Sequence, residues 1–105
     1  MDGDTDQDPS RPMDLDELQA VIDATFAARD RPRGVAASVA WLAEEVGELA
    51  QAIRKGDRSQ QLHEFGDVLA WLATLANQMD IDLGEAIERY RNGCPRCGAL
   101  PCACA

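Results

Sequence analysis

Trp41-Leu42-Ala43-Glu44-Glu45-Val46-Gly47-Glu48-Leu49 and Glu64-Phe65-Gly66-Asp67-Val68-Leu69-Ala70-Trp71 are the two stretches that decide how this chain is read. Around the first, Val35, Val39, Leu42, Val46, Leu49 and Ile53 recur at alternating steps of four and three, which puts them on one face of a helix. Trp41, Glu45, Glu48, Ala52 and Lys55 form a second stripe beside them, about 100° away at 3.6 residues per turn. The second stretch repeats the offset. Its seam is Phe65, Val68, Leu72, Leu75 and Met79, and Glu64, Asp67, Trp71, Thr74 and Gln78 each stand one residue ahead of it. The pattern predicts two helices, each with an apolar seam for the core and carboxylates along its flank.

Residues three apart stand one turn above each other, so Glu45 with Glu48, and Glu64 with Asp67, make two stacked acid pairs. On antiparallel helices the pairs can face one another. A Glu-rich helix face is ordinarily a solvated surface, but surface acids usually alternate with Lys or Arg. Here neither cation occurs from Val35 to Ile53 or from Gln60 to Ile87. Desolvated like charges are costly unless protonated or neutralised. An all-oxygen set of four carboxylates suits hard divalent ions such as Mg²⁺ or Mn²⁺, with charge enough for two of them.

Glu44-Glu45-Val46-Gly47-Glu48-Leu49, followed by Glu64-Phe65-Gly66-Asp67-Val68-Leu69, resembles the E-E-x-x-E and E-x-x-D signature of the MazG-type nucleoside triphosphate pyrophosphohydrolases. Asp80-Ile81-Asp82-Leu83-Gly84-Glu85-Ala86-Ile87 is similar to that family's last helix. The resemblance spans about residues 35–90. It implies an all-α fold, assembly as a homodimer or homotetramer, and Mg²⁺-dependent cleavage of a nucleoside triphosphate to the monophosphate and pyrophosphate, a chemistry suited to clearing nucleotide pools. By motif match, Glu45, Glu48, Glu64 and Asp67 would be the metal ligands. Glu44 would sit beside them, orienting water. Arg89 and Asn92 only approximate the Lys and Asn that family members carry near the end of the last helix.

The 105 residues point to one domain: a small all-α bundle of about four helices, with the apolar seams completed by a second copy. A net charge of −9 argues against nucleic-acid binding, since phosphate backbones are met with Lys and Arg. Residues 1–12 are acidic, with almost nothing apolar, and read as a disordered tail without the basic start and apolar run of a signal peptide. No stretch approaches the ~20 apolar residues that span a bilayer, so a cytoplasmic protein is the expectation.

Leu15, Leu18, Val21, Ile22 and Phe26 predict a first helix, opened by a capping box of Asp14 and Glu17 and ended by Arg31-Pro32-Arg33-Gly34. Arg29, Arg31 and Arg33 belong to a solvated loop or reach a substrate phosphate. Arg54 and Lys55 suit the C-terminus of the second helix, with Gly56 as its stop. Lys55 also lies on the acidic stripe, within reach of a triphosphate. Trp41 and Trp71 share that stripe, and Trp71 is the better platform for a nucleobase. The sole histidine, His63, reads as a surface residue, and the Glu-x-x-His pairs of a di-iron bundle are missing.

Residues 93–105 carry Cys94, Cys97, Cys102 and Cys104, and Cys94-Pro95-Arg96-Cys97-Gly98 resembles a zinc knuckle. Structural zinc and a reduced, mobile tail are the two readings. The domain proper is then 13–92, flanked by the acidic tail and the cysteine-rich tail. A non-catalytic metal-binding helical assembly module, with the cysteines engaging a partner, is the alternative to the enzyme.

Overall fold

The computed structural model describes residues 10–105, so residues 1–9 of the expected acidic tail lie outside the described part. Four α-helices and two 3-10 turns, with no strand among the described residues, make the fold all-α. Helix α1 spans Leu15–Asp30 and begins at the expected box: Asp14 Oδ1 accepts from Glu17 N–H, and Glu17 Oε1 accepts from Asp14 N–H, both at 2.8 Å. Arg11 is ion-paired to Glu17, which ties the chain just before α1 to its first turn.

A 3-10 turn at Arg31–Arg33 ends α1, and Gly34, at φ 89°, turns the backbone into α2, Val35–Lys55. Here the left-handed conformation favours glycine. Gly56 closes α2 under tight contact: a Cβ there would meet Ala52 O at 2.8 Å and Gln60 Oε1 at 2.9 Å. The next residue caps α3, Arg58–Gln78, through a second box in which Asp57 accepts from Gln60 N–H at 2.9 Å and Gln60 Oε1 accepts from Asp57 N–H at 2.8 Å. Asp82 caps the short α4, Leu83–Ile87, and a 3-10 turn at Glu88–Tyr90 follows.

Helix α3 is the centre, packed along α2 on one side and α1 on the other, with α4 lying against α1. Gln19 of α1 fastens the α3–α4 junction. Its amide donates to Asn77 Oδ1 at 3.2 Å and Ile81 O at 2.8 Å and accepts from Leu83 N–H at 2.7 Å, while Asn77 donates back to Gln19 O at 3.0 Å. Such reciprocal bonds fix the register of α1 on α3.

Burial differs from the simplest expectation of the sequence pattern. The buried positions of α2 and α3 are Ser38, Ala52, Ala73, Thr74 and Ala76, small residues that let the helices approach closely. The apolar seams are largely open. Val35, Val39, Val46, Ile53, Phe65, Leu72 and Met79 are all exposed, Phe65 at 51% and Ile53 at 55%. Within one chain the α2–α3 hairpin turns the acid-bearing stripes toward each other and leaves much of the seams outside. The radius of gyration, 16.5 Å, exceeds the roughly 13 Å of a compact chain of this length.

Candidate active site

The two helices of the hairpin are pinned at both ends of the acid stripe. At one end Trp41 and Trp71 meet edge to face, with ring centroids 5.1 Å apart and planes at 77°. At the other, Gln61 Nε2 donates to Ala52 O at 3.1 Å, beside the Gly56 turn. Glu45, Glu48, Glu64 and Asp67 all fall between these points.

One carboxylate oxygen from each of Glu45, Glu48 and Glu64 lies within 4.8 Å of the other two. Glu64 also belongs to a second group of the same span with Asp67 and His63. All four expected ligands therefore fall into two overlapping triads that share Glu64. Glu45, Glu64 and Asp67 are half-buried and Glu48 is exposed. Glu45 Oε2 and Glu64 Oε1 are fully buried yet have no hydrogen-bond partner. Burial, followed by the charges of Glu48, Asp67 and Glu64 and by a close carboxyl–carboxyl contact with Glu64 that a shared proton would bridge, raises the Glu45 carboxyl above the ordinary glutamate range.

Unpartnered buried oxygens in a field of like charge are costly unless a proton or a cation compensates them. A hard divalent ion fits this donor set, which is oxygen throughout apart from His63.

His63 is exposed, as expected from the sequence, but its Nε2 sits 3.1 Å from Asp67 Oδ2 and so borders the site. The i, i+4 spacing to Asp67 was the available signal. Glu44 is exposed and belongs to neither triad. Lys55 shares with Glu48, Glu64, His63 and Gln60 the lining of a cleft of about 560 Å³ at the turn end of the hairpin.

The arginine-rich turn is already engaged. Arg31 pairs with Asp23 at 3.2 Å and donates to Asn77 O at 3.4 Å, Arg29 pairs with Asp30 at 3.4 Å, and Arg33 pairs with the buried Asp30 at 3.2 Å. The Arg33 guanidinium also stands 4.6 Å above the Trp41 ring. Arg89 falls in the 3-10 turn after α4, 5.0 Å from the Tyr90 ring.

A concavity of about 1400 Å³ opens between α1, α3 and α4, and its lining is mainly apolar, including Leu15, Leu69 and Ile87. Asp16 and Asp82 face each other on its rim, and Asp82 raises the Asp16 carboxyl. Two exposed acids make no closed ligand set.

A second cluster lies in the C-terminal segment, where the sulfurs of Cys94, Cys97, Cys102 and Cys104 are within 4.8 Å of one another. No helix among the described residues is long and apolar enough to cross a membrane. No curated protein matches the chain at a significant level. The family description "MazG nucleotide pyrophosphohydrolase domain" matches residues 33–95, more than half of the chain, taking in α2, α3, α4 and both acid triads. With its acid pairs set on the hairpin that this match spans, the chain belongs to the MazG nucleotide pyrophosphohydrolase domain family.

Proposed function

We propose that this chain hydrolyses nucleoside triphosphates to the monophosphate and pyrophosphate, with Mg²⁺ or Mn²⁺ held by Glu45, Glu48, Glu64 and Asp67. The observation that carries the reading is the pair of buried, unpartnered oxygens, Glu45 Oε2 and Glu64 Oε1, inside a cluster of like charges. When bound, divalent ions supply the positive charge that a triphosphate needs and make water acidic enough to attack phosphorus near neutral pH.

The chain's own groups do the rest. Glu45 and Glu64, held by the hairpin, are fixed before any ligand arrives, so little reorganisation is needed on binding. Exposed Glu48 stands on the solvent side of its triad, where substrate enters. Lys55, in the same cleft, offers a point charge to the distal phosphates. Trp71, half-buried against Trp41 four residues beyond Asp67, gives a nucleobase an aromatic face at the other end of the acids. Glu44 orients water from outside the triads.

The exposed seam residues of α2 and α3 support a homodimer or homotetramer, because contiguous apolar faces of this kind are normally covered. The protein is proposed to act in the cytoplasm, on nucleotide pools, with no nucleic-acid partner. Incubation with a panel of nucleoside triphosphates and Mg²⁺, followed by product analysis, tests the activity. Monophosphate plus pyrophosphate is expected. Silence across the panel, or release of inorganic phosphate with the diphosphate, overturns the reading and favours the non-catalytic assembly module.

A further inference from the structure

We propose that Cys94, Cys97, Cys102 and Cys104 form a structural site for one zinc ion, separate in place and chemistry from the carboxylate site. Three of the four cysteines lie beyond the part of the chain that the family description covers. The proposal is independent of the hydrolase reading.

The geometry is that of a ligand set drawn together around a common centre. All four sulfurs lie within 4.8 Å of one another, and Cys94 Sγ and Cys104 Sγ are 3.7 Å apart. Four sulfurs placed tetrahedrally about zinc at about 2.3 Å are separated by about 3.8 Å along each edge. None of the four is in a disulfide.

The backbone is shaped to hold them. Gly98 N–H donates to Cys94 O at 2.7 Å, closing a tight turn between the first two ligands, and Cys94 N–H donates to Ala99 O at 3.0 Å, doubling the chain back on itself. Gly98 is at φ +74° and Gly93 at φ +112°. A Cβ on Gly93 would stand 2.7 Å from Ala99 O, so both the conformation and the space require glycine. Two backbone donors point at sulfur: Ala103 N–H to Cys97 Sγ and Cys104 N–H to Cys102 Sγ, each at 3.3 Å. Donors of this kind orient ligand sulfurs and stabilise their charge.

The apolar effect cannot account for this arrangement. Leu100, the one large apolar residue after Tyr90, is 84% exposed, and no residue from 91 to 105 is buried. A loop this short, without a core, needs another source of folding free energy, and a metal bound only by the folded form supplies it. Thiolate ligands select a soft or borderline ion over Mg²⁺, and four of them fill a tetrahedral sphere, so the site holds structure and leaves no position for substrate.

The test uses the full chain, purified without chelator under reducing conditions. Elemental analysis is expected to give about one zinc per chain, with the four thiols slow to react until a chelator is added. Replacement by Co²⁺ is expected to give the intense visible bands of tetrahedral thiolate cobalt. The double variant Cys97→Ser/Cys102→Ser should lose the zinc while keeping its helical circular dichroism. Substoichiometric zinc with freely titrating thiols, a weak octahedral cobalt spectrum, or zinc retained by the double variant would each overturn the site. None of these readouts depends on nucleotide hydrolysis, so either proposal can fail alone.

Discussion

Replacing Glu45 with Gln should make the metal-free protein more stable and the metal-loaded protein less so. The carboxylate oxygens of Glu45 and Glu64 lie within 4.8 Å of each other. At that separation two unit charges repel by about 3.5 kcal/mol at an effective dielectric of about 20, and by about 0.9 kcal/mol in bulk water. Glu45 is half-buried, so the pair falls between these limits, while exposed Glu48 contributes a more screened share. An amide removes the charge and offers its N–H to the unpartnered Glu64 Oε1. A gain of about 1–2 kcal/mol follows, or about 4–8 °C in Tm for each kcal/mol. Thermal unfolding followed by circular dichroism in EDTA and then in Mg²⁺ reads both halves. At a hundred times Kd, Mg²⁺ stabilises the wild type by about 2.7 kcal/mol through mass action, and the variant should gain much less. If Glu45→Gln unfolds earlier in EDTA, or gains as much from Mg²⁺ as the wild type, the carboxylates are not a strained, cation-seeking cluster.

The same residue sets a pH dependence. Its folded-state pKa is raised by burial and by Glu48, Asp67 and Glu64, so the folded form keeps a proton that the unfolded chain has already released. That contribution is full below the ordinary glutamate range and is lost as pH rises through the raised value. Asp16, raised by Asp82, acts in the same sense, so the difference between wild type and Glu45→Gln in EDTA isolates Glu45; a difference that does not change across this window contradicts the assignment. Glu48→Ala should abolish pyrophosphate release with helix content unchanged, because Glu48 is exposed and supports no packing; a variant that still turns over removes Glu48 from the ligand set. Asp57→Ala breaks the capping box with Gln60 and should cost about 1 kcal/mol in chemical denaturation at an unchanged m-value, whereas a loss near zero would deny the cap its part in starting α3.

The periodicity of α2 and α3 was legible in the sequence, as was the angle between their apolar and acidic stripes. Period alone does not say which stripe meets the neighbouring helix of the same chain. Hydrophobicity points to Val39, Val46 and Phe65, yet the covered contacts are Ser38, Ala52, Ala73 and Ala76, chosen for size rather than for transfer free energy. The short chain and its long apolar seams raise the expectation of a second copy, but no pattern within a single sequence says which residues such a copy would cover.

The candidate site is legible as far as charge goes: acids without neighbouring cations single out Glu45, Glu48, Glu64 and Asp67, and the structure gathers these four into two overlapping triads. His63 is exposed, as the sequence suggests, and its tie to Asp67 follows from the i, i+4 spacing of the two residues. The Asp57–Gln60 box lies directly behind the stronger stop signal of Gly56, although Asp followed three residues later by Gln is itself a start signal.

Anomalous scattering from crystals grown with Mn²⁺ tests the central claim most directly. Density is expected between α2 and α3, within ligating distance of Glu45 and Glu64 and bordered by Glu48 and Asp67. Manganese found only elsewhere, with these four side chains turned to bulk solvent, would contradict it.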